Sequence, residues 1–187
     1  MKRVMIHIGG LYATDQPAVI ETVLGSCVSA CLFDPVHRIG GMNHIFLAES
    51  CQGDPFLARY GVHAMELLIA RIVRLGGERK HISAKVFGAV SVLRMNEEQF
   101  SVPRKNEKFI REFLLVHGIP LISEHLGGQH PLKIHMYANT GRVLVKALAT
   151  NHLTRVLERE KRASAALAHR WRWFEGAEEL LRTEPRV

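Results

Sequence analysis

No apolar run in the 187-residue sequence approaches the ~20 residues that a bilayer-spanning helix needs, so membrane insertion is not expected. The opening Met1-Lys2-Arg3-Val4 is charged, but no apolar h-region and no small-residue cleavage site follow it, which points away from secretion. Cysteine is scarce. Three thiols, an odd number, do not build a disulfide frame and fit a reducing cytoplasm. There is no Cys-x-x-Cys pair, no internal repeat and no low-complexity segment. Aromatic residues make up 7% of the chain and do not interleave with its scattered basic residues, so a base-stacking platform for nucleic acid is not expected. The net charge of +7 would steer the surface toward acidic partners, or the arginines are simply solvated.

What is present describes a folded chain, 47% hydrophobic and 23% charged. Short β-type runs are predicted over residues 4–8, 18–24, 27–33 and 39–47, separated by Gly9-Gly10, Asp15-Gln16-Pro17, Gly25-Ser26 and Asp34-Pro35. From about Arg59 to Leu75, Val62, Met65, Leu68, Ile69, Ile72 and Val73 recur at helical spacing, and Gly76-Gly77 closes the segment. A strand over 81–87 precedes a second helix over 106–116, with Phe109, Phe113 and Val116 on one face. Strands over 119–125, 132–137 and 142–147 follow, the last two joined by Asn139-Thr140-Gly141. Beyond Ala149 the composition shifts to Ala, Arg, Glu and Leu with a Trp171-Arg172-Trp173-Phe174 cluster, an amphipathic, helical pattern. The chain thus reads as a domain over 1–148 and a tail over 149–187, of α+β class with packed sheets flanked by helices.

Cys27 follows a Gly25-Ser26 turn at the entry to a strand, a position that suits a nucleophile. The turn exposes the sulfur, and neighbouring backbone N–H groups can face a developing oxyanion. A free thiol is mostly protonated at neutral pH and needs a base, for which His44 is the nearest candidate, on the strand after the next turn. Spacing alone leaves open the plainer reading of Cys27 as a small buried hydrophobe. Zinc is a competing chemistry, since Cys27, Cys31, His44 and Cys51 are all ligand types. Cys27 and Cys31, four apart on a strand, would lie ~13 Å apart, too far to share an ion. No metal and no cofactor is therefore expected. His7, His63, His81, His117, His125, His130, His135, His152 and His169 have no motif support and read as surface or structural.

The run Thr22-Val23-Leu24-Gly25-Ser26-Cys27-Val28-Ser29-Ala30-Cys31-Leu32-Phe33-Asp34-Pro35, followed by Gly40-Gly41-Met42-Asn43-His44, resembles the bacterial chemoreceptor glutamine deamidases (CheD). The likeness continues through Arg59-Tyr60-Gly61, Ala64-Met65-Glu66, Ala84-Lys85-Val86-Phe87-Gly88, Asn106, Gly127-Gly128 and Thr140-Gly141, covering about residues 4–147 with the order of the blocks kept. It implies a β-sandwich with helices packed outside and a papain-like thiol mechanism, similar to that of the cytotoxic necrotizing factor toxins. Cys27 would be the nucleophile, His44 the general base and later the acid, and Thr22 the third member that orients the imidazole. Gly25, Ser26 and Asn43 would lie at the substrate and oxyanion. The substrates implied are receptor glutamines, and glutamyl methyl esters share their acyl part. The partners implied are chemoreceptor cytoplasmic helices and a CheC-type phosphatase. A different class of reading is an adaptor that binds such partners without turnover.

Three blocks depart from the family pattern. Gly88-Ala89-Val90 stands where two glycines and an alanine are usual, Gln129-His130-Pro131-Leu132 lacks an arginine, and Ile45-Phe46-Leu47-Ala48 lacks a proline after His44. The tail has no counterpart in that pattern.

Overall fold

A computed structural model describes residues 1–46, 55–91, 101–149, 152, 154–160, 162 and 165. Leu47, Ala48, Cys51, His169 and the Trp171–Phe174 cluster lie outside the described residues.

Among the described residues, nine strands form two mixed sheets. β1 (Lys2–Met5), β3 (Ala18–Leu24), β8 (Leu132–Tyr137) and β9 (Arg142–Ala147) make one in the order β1-β3-β8-β9, with β1 parallel to β3 and the other pairs antiparallel. β2 (Leu11–Thr14), β5 (Ile39–Asn43), β4 (Val28–Asp34), β6 (Ser83–Gly88) and β7 (Leu121–Leu126) make the other in the order β2-β5-β4-β6-β7, with only β6 and β7 parallel. Two helices, α1 (Pro55–Arg74) and α2 (Ser101–Val116), pack on the five-stranded sheet. The α+β sandwich expected from the sequence is the fold found.

Strand alternation in β4 builds both layers at once. Val28, Ala30 and Leu32 point to the helices and share a core with Met65, Leu68, Ile69, Ile72, Ile110 and Leu114. Cys31 and Phe33 point the other way, into the core between the sheets, with Ile20, Leu24, Ile134 and Met136 of the facing sheet. In either core a large apolar side chain, fully buried, contributes roughly 1.5–3 kcal/mol.

The helices differ in detail from their predicted forms. Val62 and Val73 share the spacing of the buried α1 stripe but stay exposed, while Gly76 at φ 104 ends the helix as expected. α2 begins five residues early, at Ser101, because a proline in the first turn has no intrahelical N–H to lose. Its buried face is Val102, Asn106, Ile110, Phe113 and Leu114, and Val116 is exposed. The short β2 had no signal of its own, since only Thr14 of its four residues is buried.

Candidate active site

Thr22, Cys27 and His44 arrive on three separate pieces of backbone. Thr22 lies on the inward face of β3 between Ile20 and Leu24, all three fully buried. Cys27 sits in the turn before β4, not on the strand itself. Its carbonyl accepts the Ala89 N–H at 2.7 Å, and the Gly25 carbonyl accepts that of Val90 at 2.7 Å. Gly88, at φ 115, passes so close that a Cβ there would stand 2.1 Å from the Cys27 oxygen, so only glycine fits. Asn106 on α2 secures the same turn by donating to the Ser26 carbonyl at 3.0 Å. The β4–β5 ladder opens opposite the turn: Ala30 N–H bonds to the Asn43 side chain, and His44 pairs instead with Gly10 and Gly9. That opening turns the imidazole toward Thr22 and Cys27.

The Thr22 hydroxyl donates to the Ile6 carbonyl at 3.0 Å and lies 2.9 Å from His44 Nδ1. A hydroxyl has one proton. Given to Ile6, it leaves Thr22 only able to accept, so His44 must carry its proton on Nδ1. The lone pair is then on Nε2, which is buried and has no hydrogen-bond partner among the described residues. Cys27 Sγ, a ring nitrogen of His44 and a carboxylate oxygen of Glu160 all lie within 4.8 Å of one another.

Glu160 belongs to a helical segment over 154–160 of the tail, and no motif marked it in the sequence. Its carboxylate accepts the Gly25 N–H at 2.7 Å, the Ser26 N–H at 2.9 Å and the Ser26 hydroxyl at 2.8 Å. It is 3% exposed, and beneath it Cys27 is closed off from solvent altogether. Burial pushes the Cys27 thiol well above its ordinary value, and the Glu160 charge and hydrogen bond push it further. Burial, with smaller contributions from His7 and Arg159, lowers His44 to about 3. Burial also raises Glu160, against the hydrogen bonds it accepts from Cys27, Gly25 and Ser26. With the tail seated, the cysteine and histidine are therefore a neutral thiol beside a neutral imidazole.

A cavity of about 550 Å³ adjoins this cluster, between Ile6, His7, Thr22 and His44 on one side and His152, Arg155, Arg159 and Glu160 on the other. His7 and His152, expected to be merely surface or structural, thus line the site. Their signal was invisible in sequence because neither lies near Cys27 or His44 in a recognisable pattern. Gly25 and Ser26 stand beside the cluster, both donating to Glu160. Asn43 does not: its carboxamide accepts from Ala30 and reaches Ala64 and Met65 of α1 on the far face of the sheet. Consecutive strand residues point to opposite faces, so Asn43 and His44 could not both enter the site.

Two clusters among the described residues have metal-ligand donors close together, Cys27-His44-Glu160 and Asp34-His37-His81. In the first, both Glu160 oxygens are engaged by N–H and O–H donors. In the second, burial pushes the Asp34 carboxyl up, but hydrogen bonds from Glu78, His37 and Val36 outweigh it and hold the group at about 2. Both carboxylates are committed to internal hydrogen bonds. Cys31 stands apart from either cluster, and Cys51 lies outside the described residues.

Fold and site together define a two-sheet α+β sandwich with a buried Cys-His-Thr cluster at the end of its inter-sheet core. The family model described as CheD chemotactic sensory transduction matches residues 46–147. The chain is 46% identical over 154 residues to the probable chemoreceptor glutamine deamidase CheD of Stenotrophomonas maltophilia (strain K279a), covering 82% of this chain and 77% of that one. Identity is 45% with the protein of that name from Xanthomonas axonopodis pv. citri (strain 306), over the same shares. It is 42% with that of Thiobacillus denitrificans (strain ATCC 25259 / T1), again over 82% and 77%. The chain belongs to the CheD family. Among solved structures, the Bacillus licheniformis hypothetical protein YfiH aligns with a TM-score of 0.41 and 17% identity over 62% of this chain and 49% of that one, a slight likeness.

Proposed function

We propose that the protein is a protein-glutamine deamidase that converts glutamine side chains of chemoreceptors to glutamate through a thioester on Cys27. The Thr22–His44 hydrogen bond carries this reading, because it sets the tautomer that a general base needs. His44 Nε2 takes the Cys27 proton, and the thiolate attacks the carboxamide carbon. The N–H groups of the Gly25–Cys27 turn hold the oxyanion. The imidazolium, stabilised through Nδ1 by Thr22, returns its proton to the departing ammonia. Water then hydrolyses the thioester, releasing glutamate and the thiol. A glutamyl methyl ester would follow the same course with methanol leaving. The names of the relatives support the receptor as substrate, and the net charge of +7 suits an acidic helical partner.

The test is incubation with a chemoreceptor cytoplasmic fragment, with mass spectrometry following amide-to-acid conversion at each glutamine. Wild type is expected to convert specific glutamines, and Cys27→Ala is expected to convert none. Equal conversion by the two would remove Cys27 from the chemistry. Binding without conversion would make the protein an adaptor.

A further inference from the structure

The cysteine is covered by the chain's own tail, and the cover has the chemistry of a reaction product. Deamidation turns a glutamine side chain into a glutamate side chain, and a glutamate side chain is what lies on the turn beside Cys27. Its carboxylate takes both backbone N–H groups of Gly25 and Ser26 and the Ser26 hydroxyl, at 2.7–2.9 Å. A buried carboxylate costs several kcal/mol unless such donors replace water. Here the donors are those that would hold a substrate carbonyl. The group reaches the turn from a helix over residues 154–160, with Val156 one helical turn before Glu160 on the same face. Val156 and Glu160 both pack so tightly on Gly25 that a Cβ there would stand 3.1 Å and 2.9 Å from them. Leu157 of the same helix packs on the inter-sheet core.

We propose that the tail helix occupies the substrate site as an internal product, with Glu160 in the seat of the glutamate formed from a receptor glutamine. This rests on the deamidase reading and adds two things to it. The substrate side chain is presented from an α-helix that lies along the Gly25 turn, its carboxamide oxygen accepting from a backbone N–H of that turn. The tail also competes with the receptor, so a molecule with Glu160 seated is closed to substrate.

Glu160→Gln tests the seat directly, because glutamine has the shape of glutamate and would turn the tail into a substrate. The Cys27 thiolate would attack the side-chain carbonyl of the introduced glutamine, the C–N bond would break, and ammonia would leave with the proton held by His44. Water would then release the thioester as glutamate. The full-length Glu160→Gln protein is expected to show glutamate at position 160 by peptide mass spectrometry, while the Glu160→Gln/Cys27→Ala double variant keeps glutamine. In parallel, full-length Glu160→Ala is expected to lower KM for the receptor fragment about tenfold with kcat unchanged, as for a site open in about a tenth of wild-type molecules. Glutamine retained at 160 and an unaltered KM, in a protein that still deamidates the receptor through Cys27, would overturn the seat and leave the deamidase reading intact. Conversion of the introduced glutamine with no conversion of the receptor would support the seat and remove the receptor as substrate.

Discussion

Cys27 and Cys31 are four residues apart, both are buried between the sheets, and burial pushes both thiols up, Cys31 to about 12. Only one of them has chemistry around it. Cys31 lies mid-strand, paired with Met42 on one side and Lys85 on the other, in backbone that the two ladders occupy. Cys27 lies where β3 has ended and β4 has not begun. The Gly25 and Ser26 N–H groups there are free of any ladder and point at a third group, and His44 stands within 4.8 Å. Burial and residue type are shared. The difference is a turn, which leaves backbone donors unspent.

The sharpest way to break this contrast is to remove each sulfur in turn. Cys27→Ala is expected to lower receptor deamidation by on the order of 10⁴-fold or more, as loss of a nucleophile does. Cys31→Ala should leave turnover at the wild-type level and lower stability in urea by about 1–2 kcal/mol. Comparable loss of activity in both would dissolve the distinction. Next in size is Thr22→Val, which removes the acceptor for His44 Nδ1–H. A fall in kcat of about 10²-fold is expected, with Thr22→Ser recovering most of it. A kcat unchanged in Thr22→Val would mean the tautomer is set by something else.

Alkylation separates the two thiols by access. Peptide mapping after iodoacetamide should find both protected in the wild type, and Cys27 alone labelled faster in Glu160→Ala, since Cys31 has no tail above it. The histidine on the Cys27 side should also leave a mark on stability. Burial lowers His44 to about 3 from its ordinary 6.5, so the unfolded chain takes up this proton first. Its contribution to stability is full above 6.5 and declines as pH falls from there toward about 3. Thermal melts of wild type and His44→Asn between about pH 7 and pH 4 should diverge less at the acid end. Parallel curves would place a solvated imidazole at position 44. The smallest effect concerns the backbone behind Cys27. Ala89 donates to the Cys27 carbonyl from φ 52, a conformation that costs a residue with a Cβ about 1 kcal/mol. Ala89→Gly should therefore raise stability by roughly that amount, and a loss in denaturant melts would show that the alanine methyl packs usefully.

Much of the fold was legible because its signals are local. β3, β8 and β9 begin and end where their apolar runs do, and α1 follows its buried stripe to the glycines that stop it. β2 was missed because a four-residue edge strand buries almost nothing. The α2 start was missed because Pro103 reads as a barrier in sequence, although the first turn tolerates it. Asn43 was drawn toward the site by adjacency to His44, and strand alternation sends it to the other face.

The sequence by itself determined the α+β class, the family, and the candidate trio of Thr22, Cys27 and His44, each near a turn or strand end. Those depend on residue order within short windows and on blocks shared with relatives. Only the tertiary structure decided that Thr22 bonds His44, that Cys27 is closed to solvent, and that Glu160 closes it. Glu160 meets Ser26 across 134 positions of chain. No periodicity or motif reaches that far, because the contact exists only once two sheets have packed and residues 154–160 have seated on the Gly25–Ser26 turn.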